Sequence, residues 1–134
     1  MKKYLVIGNP VGHSLSPKLH NYWIKKNNID ALYDKKQLNE SDIEGIITEV
    51  KNGKIDGINV TVPFKKLVIP FLDKLTPLAN ETHSVNTIYK KNESGIDVVV
   101  GDNTDVDGFK QSLKYINYRV KNKKVFILGS GGVV

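Results

Sequence analysis

The chain has 134 residues, no cysteine and a formal charge of +6 at neutral pH. That length suffices for one domain with a real core, and the missing cysteine excludes disulfides, thiolate metal sites and a cysteine nucleophile. The lysines are spread along the chain and Arg119 is the one arginine, so the charge reads as a solvated surface, not as the clustered footprint of a nucleic-acid module.

Residues 3–8 are predicted to form a first strand; the basic-then-apolar start is too short for a signal peptide. No apolar run reaches the roughly 18 residues of a membrane span, so a cytoplasmic location is expected. Residues 9–16 read as a loop. Ser16-Pro17 marks a helix start, with the serine as cap and the proline at the first helical position. Leu19, Tyr22, Trp23 and Lys26 are expected on one packed face, the lysine stem covering apolar surface. Residues 31–37 form a second predicted strand. Ser41-Asp42-Ile43-Glu44 reads as a capping box, and Ile43, Ile46, Ile47 and Val50 follow the spacing of a buried helical stripe that Gly53 ends.

The segment 58–62 is predicted as a strand. Asn59 and Thr61 share one of its faces, and Val60 and Val62 share the core face. Pro63 ends it, which leaves Lys65 just past a carboxyl end, where open α/β sheets place their chemistry. A short helix is expected over 65–72 and another from Thr76-Pro77. Strands at 85–90 and 96–100 form a predicted hairpin across Lys91-Asn92-Glu93-Ser94-Gly95. A helix follows from Thr104, its cap, to about Ile116, with Val106, Phe109, Leu113 and Ile116 as buried stripe. A last strand, 124–128, runs into Gly129-Ser130-Gly131-Gly132. Alternating strands and helices imply an α/β fold with a mostly parallel sheet. The expected domains are 1–117 and a short 118–134 segment beginning a second unit.

Several sites can carry chemistry. Ser14 and Ser16 flank a helix start, a place that suits a carboxylate or a phosphate; the alternative is a plain cap, and His13 reads as a loop residue. Lys65 follows a strand with a polar face, whereas Lys66 reads as surface. Asp102 precedes the next helix and is free to face a cleft, where a Lys65–Asp102 pair could move a proton to or from a hydroxyl. Asp105 and Asp107 suit the helix dipole. Asn86 can bind a hydroxylated ligand. The glycine turn after an apolar strand has the context of a dinucleotide site.

Taken in order, Gly8-Asn9-Pro10, Ser14-Leu15-Ser16-Pro17, Asn59-Val60-Thr61-Val62-Pro63-Phe64-Lys65, Val85-Asn86-Thr87, Gly101-Asp102-Asn103-Thr104-Asp105 and Gly129-Ser130-Gly131-Gly132 resemble the shikimate dehydrogenases over the whole chain. The resemblance implies an open, mostly parallel sheet with helices on both faces, and the first strand of a Rossmann-like domain. It implies reduction of 3-dehydroshikimate to shikimate with NADPH, in chorismate and aromatic amino-acid biosynthesis. Ser14 and Ser16 would hold the substrate carboxylate. Thr61, Asn86 and Asp102 would bind its hydroxyls, with Asn59 nearby. Lys65, oriented by Asp102, would be the acid/base group. Gly129, Ser130, Gly131, Gly132 and Val133 would begin the NADP site. Family members continue through a full nucleotide-binding domain, so this chain is expected to be a fragment, inactive alone. The implied partner is a small molecule, with no nucleic acid or membrane, in a monomer or homodimer. Two alternatives stay open: a quinate/shikimate dehydrogenase and a non-redox hydroxy-acid binding module.

Overall fold

A computed structural model describes residues 1–129 and Gly131. Strand β1 (Lys2–Gly8), helix α1 (Ser16–Lys26), β2 (Ala31–Gln37), α2 (Ile43–Lys51), β3 (Gly57–Val60), β4 (Lys74–Leu75), α3 (Pro77–Thr82), β5 (Thr87–Glu93), β6 (Ile96–Asp102) and α4 (Asp105–Tyr115) follow in that order. The strands form one six-stranded sheet ordered β2-β1-β3-β5-β6-β4. The β1–β2, β1–β3 and β4–β6 pairs are parallel, and β5 runs against both its neighbours.

β1 is apolar on both faces, as a strand covered from both sides must be. Tyr4 and Val6 pack with Val11, Tyr33 and Ile24 of α1. Leu5 and Ile7 pack on the other face with Ile58, Val60 and the α2 stripe Ile43, Ile46, Ile47 and Val50. That stripe is buried throughout, as its spacing predicts.

Other expectations are corrected. Leu19, Tyr22 and Trp23 are not the packed face of α1; they are 48%, 60% and 47% exposed. Asn21 faces the sheet instead. Its side chain accepts from the Tyr33 N–H (3.0 Å) and donates to the Tyr33 carbonyl (2.7 Å), so an amide closes the outer edge of β2. Ser16 is the first helical residue and not the cap. The capping interaction before α2 falls earlier than Ser41: Asn39 N–H donates to the Asp42 carboxylate (2.8 Å), ahead of a single 3-10 turn, Glu40–Asp42. The helix expected over 65–72 is a run of turns ending in a 3-10 turn, Ile69–Phe71. β3 stops at Val60, so Val62 is 60% exposed and not core.

The largest differences lie at the end of the chain. Phe109 and Ile116 of the predicted buried stripe are 65% and 64% exposed, and α4 buries no residue. Residues 124–128 form no strand and are exposed, because no neighbouring strand completes their hydrogen bonds among the described residues. No helix among the described residues is long and apolar enough to cross a membrane.

Candidate functional site

The carboxyl ends of β1, β3 and β6 open on one edge of the sheet. Because β5 is antiparallel to β3 and β6, its amino end, with Asn86 just before it, joins them there. Asn86 is fixed between two of these strands: its carbonyl accepts from Val60 N–H (2.8 Å), and its N–H donates to the Asp102 carbonyl (3.0 Å). Gly8 ends β1 against β3. A Cβ there would stand 2.5 Å from Thr61 Cγ2, so the close approach of these two strand ends requires glycine.

The loop after β1 is pinned at several points. Asn9 N–H donates to the Val62 carbonyl (3.0 Å) and Asn9 Nδ2 to the Leu38 carbonyl (2.9 Å). Lys35 Nζ donates to the Gly12 carbonyl. Ser14 Oγ accepts from Ser16 N–H (3.3 Å). The result is a cavity of about 340 Å³ whose lining includes Ser14, Ser16 and Thr61, with His13 beside them. Three of the predicted site residues therefore meet in one place.

Lys65 follows a tight turn in which Phe64 N–H donates to the Thr61 carbonyl (3.0 Å), and its own carbonyl accepts from Val85 N–H (2.9 Å). It is 8% exposed; Lys66 is exposed, as expected. The carboxylate that meets Lys65 is not Asp102. Lys65 Nζ lies 2.5 Å from Asp105 Oδ2. Asp105 Oδ1 accepts from Asn86 Nδ2 (2.8 Å). Asp102 turns to a second concavity of about 500 Å³, shared with Thr76, Thr104 and Gln111. Its Oδ1 accepts from Thr76 Oγ1 (2.6 Å) and from Asn103 N–H (2.8 Å).

Asn59 stands at the centre of a polar chain that crosses the sheet edge. Its Oδ1 accepts from the Tyr33 hydroxyl (2.7 Å), and its Nδ2 donates to Thr87 Oγ1 (3.2 Å). Thr87 Oγ1 donates to Asn86 Oδ1 (2.9 Å). Thr104 N–H also donates to Asn86 Oδ1 (3.0 Å). Asn103, not Thr104, caps α4: its Oδ1 accepts from Asp105 N–H (2.9 Å), and its Nδ2 donates to Thr82 Oγ1 and the Ser84 carbonyl (both 3.0 Å).

The sequence reading missed Tyr33, Asn103 and Asp105. Asp105 was explained by the helix dipole alone, and nothing local to it announces a partner 40 residues away. Tyr33 could have been found as the aromatic residue of β2 between exposed neighbours. Burial pushes its hydroxyl up to about 12, opposed in part by a hydrogen bond with Ser16, and the His20 ring stacks on it at 4.2 Å.

Tyr33 gives a pH prediction with a definite sign. The folded state keeps the phenol proton up to about 12, whereas an unfolded chain releases it near 10. Between those values the native state binds more protons, so stability falls as pH rises through 10. The expected loss is about 2–3 kcal/mol by pH 12 relative to Tyr33→Phe, which lacks the proton. Urea unfolding of both chains at pH 8, 10 and 11.5 measures it. Parallel pH dependence in the two would remove the effect.

The dinucleotide turn fits poorly as described. Gly129 and Gly131 are present, but no strand precedes them, and a Cβ at Gly131 would meet nothing within 4 Å. Ser130, Gly132 and Val133 lie outside the described residues. Among the described residues there is no group of three or more acidic or histidine side chains able to hold a metal ion.

Comparison with known proteins places these features. The family model of the shikimate dehydrogenase substrate binding domain matches residues 6–88. The chain is 57% identical over 133 residues to the NADP(+) shikimate dehydrogenase of Pelagibacter ubique, covering 99% of this chain and 49% of that protein. Shikimate dehydrogenase 1 of Peptoclostridium difficile superposes with a TM-score of 0.89 at 32% identity, covering 99% of this chain and 48% of that one. The Thermus thermophilus enzyme, solved in complex with shikimate, gives 0.87 at 31% identity, covering 99% and 49%. The chain thus spans about half the length of the curated relatives it matches.

Proposed function

This chain belongs to the family of shikimate dehydrogenase substrate-binding domains, and we propose that it is the substrate-binding, proton-transferring half of an enzyme that reduces 3-dehydroshikimate to shikimate with NADPH. The observation that carries this reading is the convergence of Ser14, Ser16 and Thr61 on one cavity, one turn of chain away from a buried lysine.

Ser16, the first residue of α1, and Ser14 in the loop just before it bind the ring carboxylate through their hydroxyls; the helix N-terminus favours that charge. Thr61 orients a ring hydroxyl from the end of β3. Asp102 has one oxygen, Oδ2, that accepts no hydrogen bond among the described residues, but it faces the second concavity and not the one lined by the serines and Thr61, so its contact with the same ring is the weakest of these assignments. Lys65 gives its proton to the oxygen of the C3 carbonyl as that oxygen becomes a hydroxyl, and recovers one from solvent. Asn59 and Asn86 keep the polar wall rigid through their shared bonds with Tyr33 and Thr87. The described part of the glycine turn lacks the strand–turn–helix context that holds a pyrophosphate, so no step is assigned to the dinucleotide here.

A shikimate titration of this chain, followed by amide NMR with quinate as comparator, tests the reading. Saturable shifts confined to the surroundings of Ser14, Thr61, Lys65, Asn86 and Asp102 are expected, larger for shikimate than for quinate. A folded chain that shows no shifts, also when joined to a nucleotide-binding domain, would sink the assignment.

A further inference from the structure

We infer that Tyr33 is the positioning residue of the carboxylate site: its hydroxyl joins the start of α1 to Asn59 of β3 and so sets where Ser16 stands relative to the rest of the pocket wall. The inference deepens the functional reading above and rests on it for the role of Ser14 and Ser16.

Tyr33, Lys35 and Gln37 alternate along β2 and so share one of its faces. All three reach the segment that carries the serines. Gln37 Oε1 accepts from Val11 N–H (3.4 Å), and the Val11 carbonyl accepts from Ser14 N–H (3.0 Å). Lys35 Nζ donates to the Gly12 carbonyl. Tyr33 takes the helix itself. It is 4% exposed, packs with Val6 and Val11, and has the His20 ring stacked on its own at 4.2 Å. Its backbone N–H and carbonyl are both bound by Asn21. Helix α1 buries none of its own side chains fully, so its seat over the sheet depends on these contacts.

The direction of the Tyr33 hydroxyl is forced. Asn59 Nδ2 donates to the Asn86 carbonyl (3.4 Å) and to Thr87 Oγ1 (3.2 Å). A carbonyl can only accept, so Asn59 must face Tyr33 with Oδ1, and the phenol proton goes there (2.7 Å). The phenol oxygen then has only lone pairs to offer, and the Ser16 hydroxyl donates to it. A ligand carboxylate can take that serine proton by rotation about one bond, with the serine oxygen already in place. Without the phenol, Ser16 loses this partner, and the ligand must order the side chain on binding.

The test is a titration of this chain with shikimate and with its methyl ester, followed by amide NMR, in the wild type, Tyr33→Phe, Ser16→Ala and the double variant. Tyr33→Phe keeps the ring and should weaken shikimate about three- to tenfold, the net worth of one hydrogen bond. The ester is a weaker acceptor than the carboxylate and should change by about twofold or less. A loosened fold would weaken acid and ester alike, and that result overturns the inference. So does shikimate binding that is unchanged or tighter. In the double variant the loss should match that of Ser16→Ala alone, because the phenol acts through this serine; simple additivity of the two losses also overturns it. The side-chain amide signals of Asn59 give a reading without ligand. Ser16→Ala should move them in the chain that has Tyr33 and leave them in Tyr33→Phe. The first of these needs no change at Tyr33, so it stands even if Tyr33→Phe does not fold, and unmoved signals there overturn the inference. A wild-type chain that binds neither ligand, but whose Asn59 signals respond to Ser16→Ala, keeps the link and removes the function. Shikimate binding with unmoved Asn59 signals does the reverse.

Discussion

Lys65→Ala is expected to slow 3-dehydroshikimate reduction about 10²–10⁴-fold in a polypeptide that joins this domain to a nucleotide-binding domain, with far less damage to the fold. The rate loss is the usual contribution of a positioned acid/base group. The stability cost follows from what the alanine leaves behind. Asp105 keeps Asn86 Nδ2 on one oxygen, and its side chain is 35% exposed, so water can reach the oxygen that the ammonium vacates. Breaking a fully buried pair costs about 3–5 kcal/mol, and exposed pairs are worth about 0–1. This half-open pair falls between them, at about 1–2 kcal/mol. The backbone bonds of the turn, from Phe64 N–H and to the Lys65 carbonyl, do not involve the side chain. Steady-state kinetics and urea unfolding on the same variant read the two effects apart. Near-normal turnover would remove Lys65 from the chemistry. Turnover that fell only in step with the folded fraction would make it structural.

What could be read from the sequence, and what could not, divides by the range of the interactions. The α2 stripe and β1 were legible because their burial is written in local periodicity. The place of Lys65 at the sheet edge was legible because the chain must leave the ladder before a proline, although β3 ends at Val60, earlier than Pro63. The partner of Lys65 was not. Asp102 ends β6 and Asp105, three residues on, opens α4, and choosing between them depends on where Asn103 turns the chain. Sequence pattern carries no information about that rotation. The packed face of α1 was misread for a related reason. Leu19, Tyr22 and Trp23 form an apolar stripe, but the sheet edge needs an amide at Tyr33 more than another hydrocarbon, and Asn21 supplies it. Polar satisfaction of an edge strand prevailed over apolar periodicity. The buried stripe expected of α4 and the strand expected over 124–128 both need a further packing layer or strand. Their pattern states a demand for cover, and nothing among the described residues meets it.

The residue that makes the lysine's position possible is the one before it. Phe64→Ala is expected to cost about 3–5 kcal/mol, a large share of the roughly 5–15 kcal/mol that holds a domain of this kind together. Phe64 is 2% exposed and the largest of the fully buried side chains. The core cluster it joins includes Ile7, Ile58, Val60, Val68 and Val85, β-branched residues with little rotamer freedom. They cannot collapse into the space a ring leaves, which puts the cost toward the upper end of the range. A drop in the urea midpoint with unchanged slope would show it, and a loss below about 1 kcal/mol would mean that the ring is not the core's anchor. Phe64→Leu separates packing from aim. It keeps an apolar anchor and should leave the chain folded, but the turn held by Thr61, Phe64 and Val68 then rests on a smaller side chain. In the two-domain polypeptide, kcat should fall more than KM for 3-dehydroshikimate changes, because Ser14 and Ser16, the residues proposed to bind the carboxylate, belong to the loop before α1 and to its first residue and not to the turn that carries Lys65. Equal changes in both constants would mean that Phe64 shapes the pocket as a whole and not the direction of one lysine.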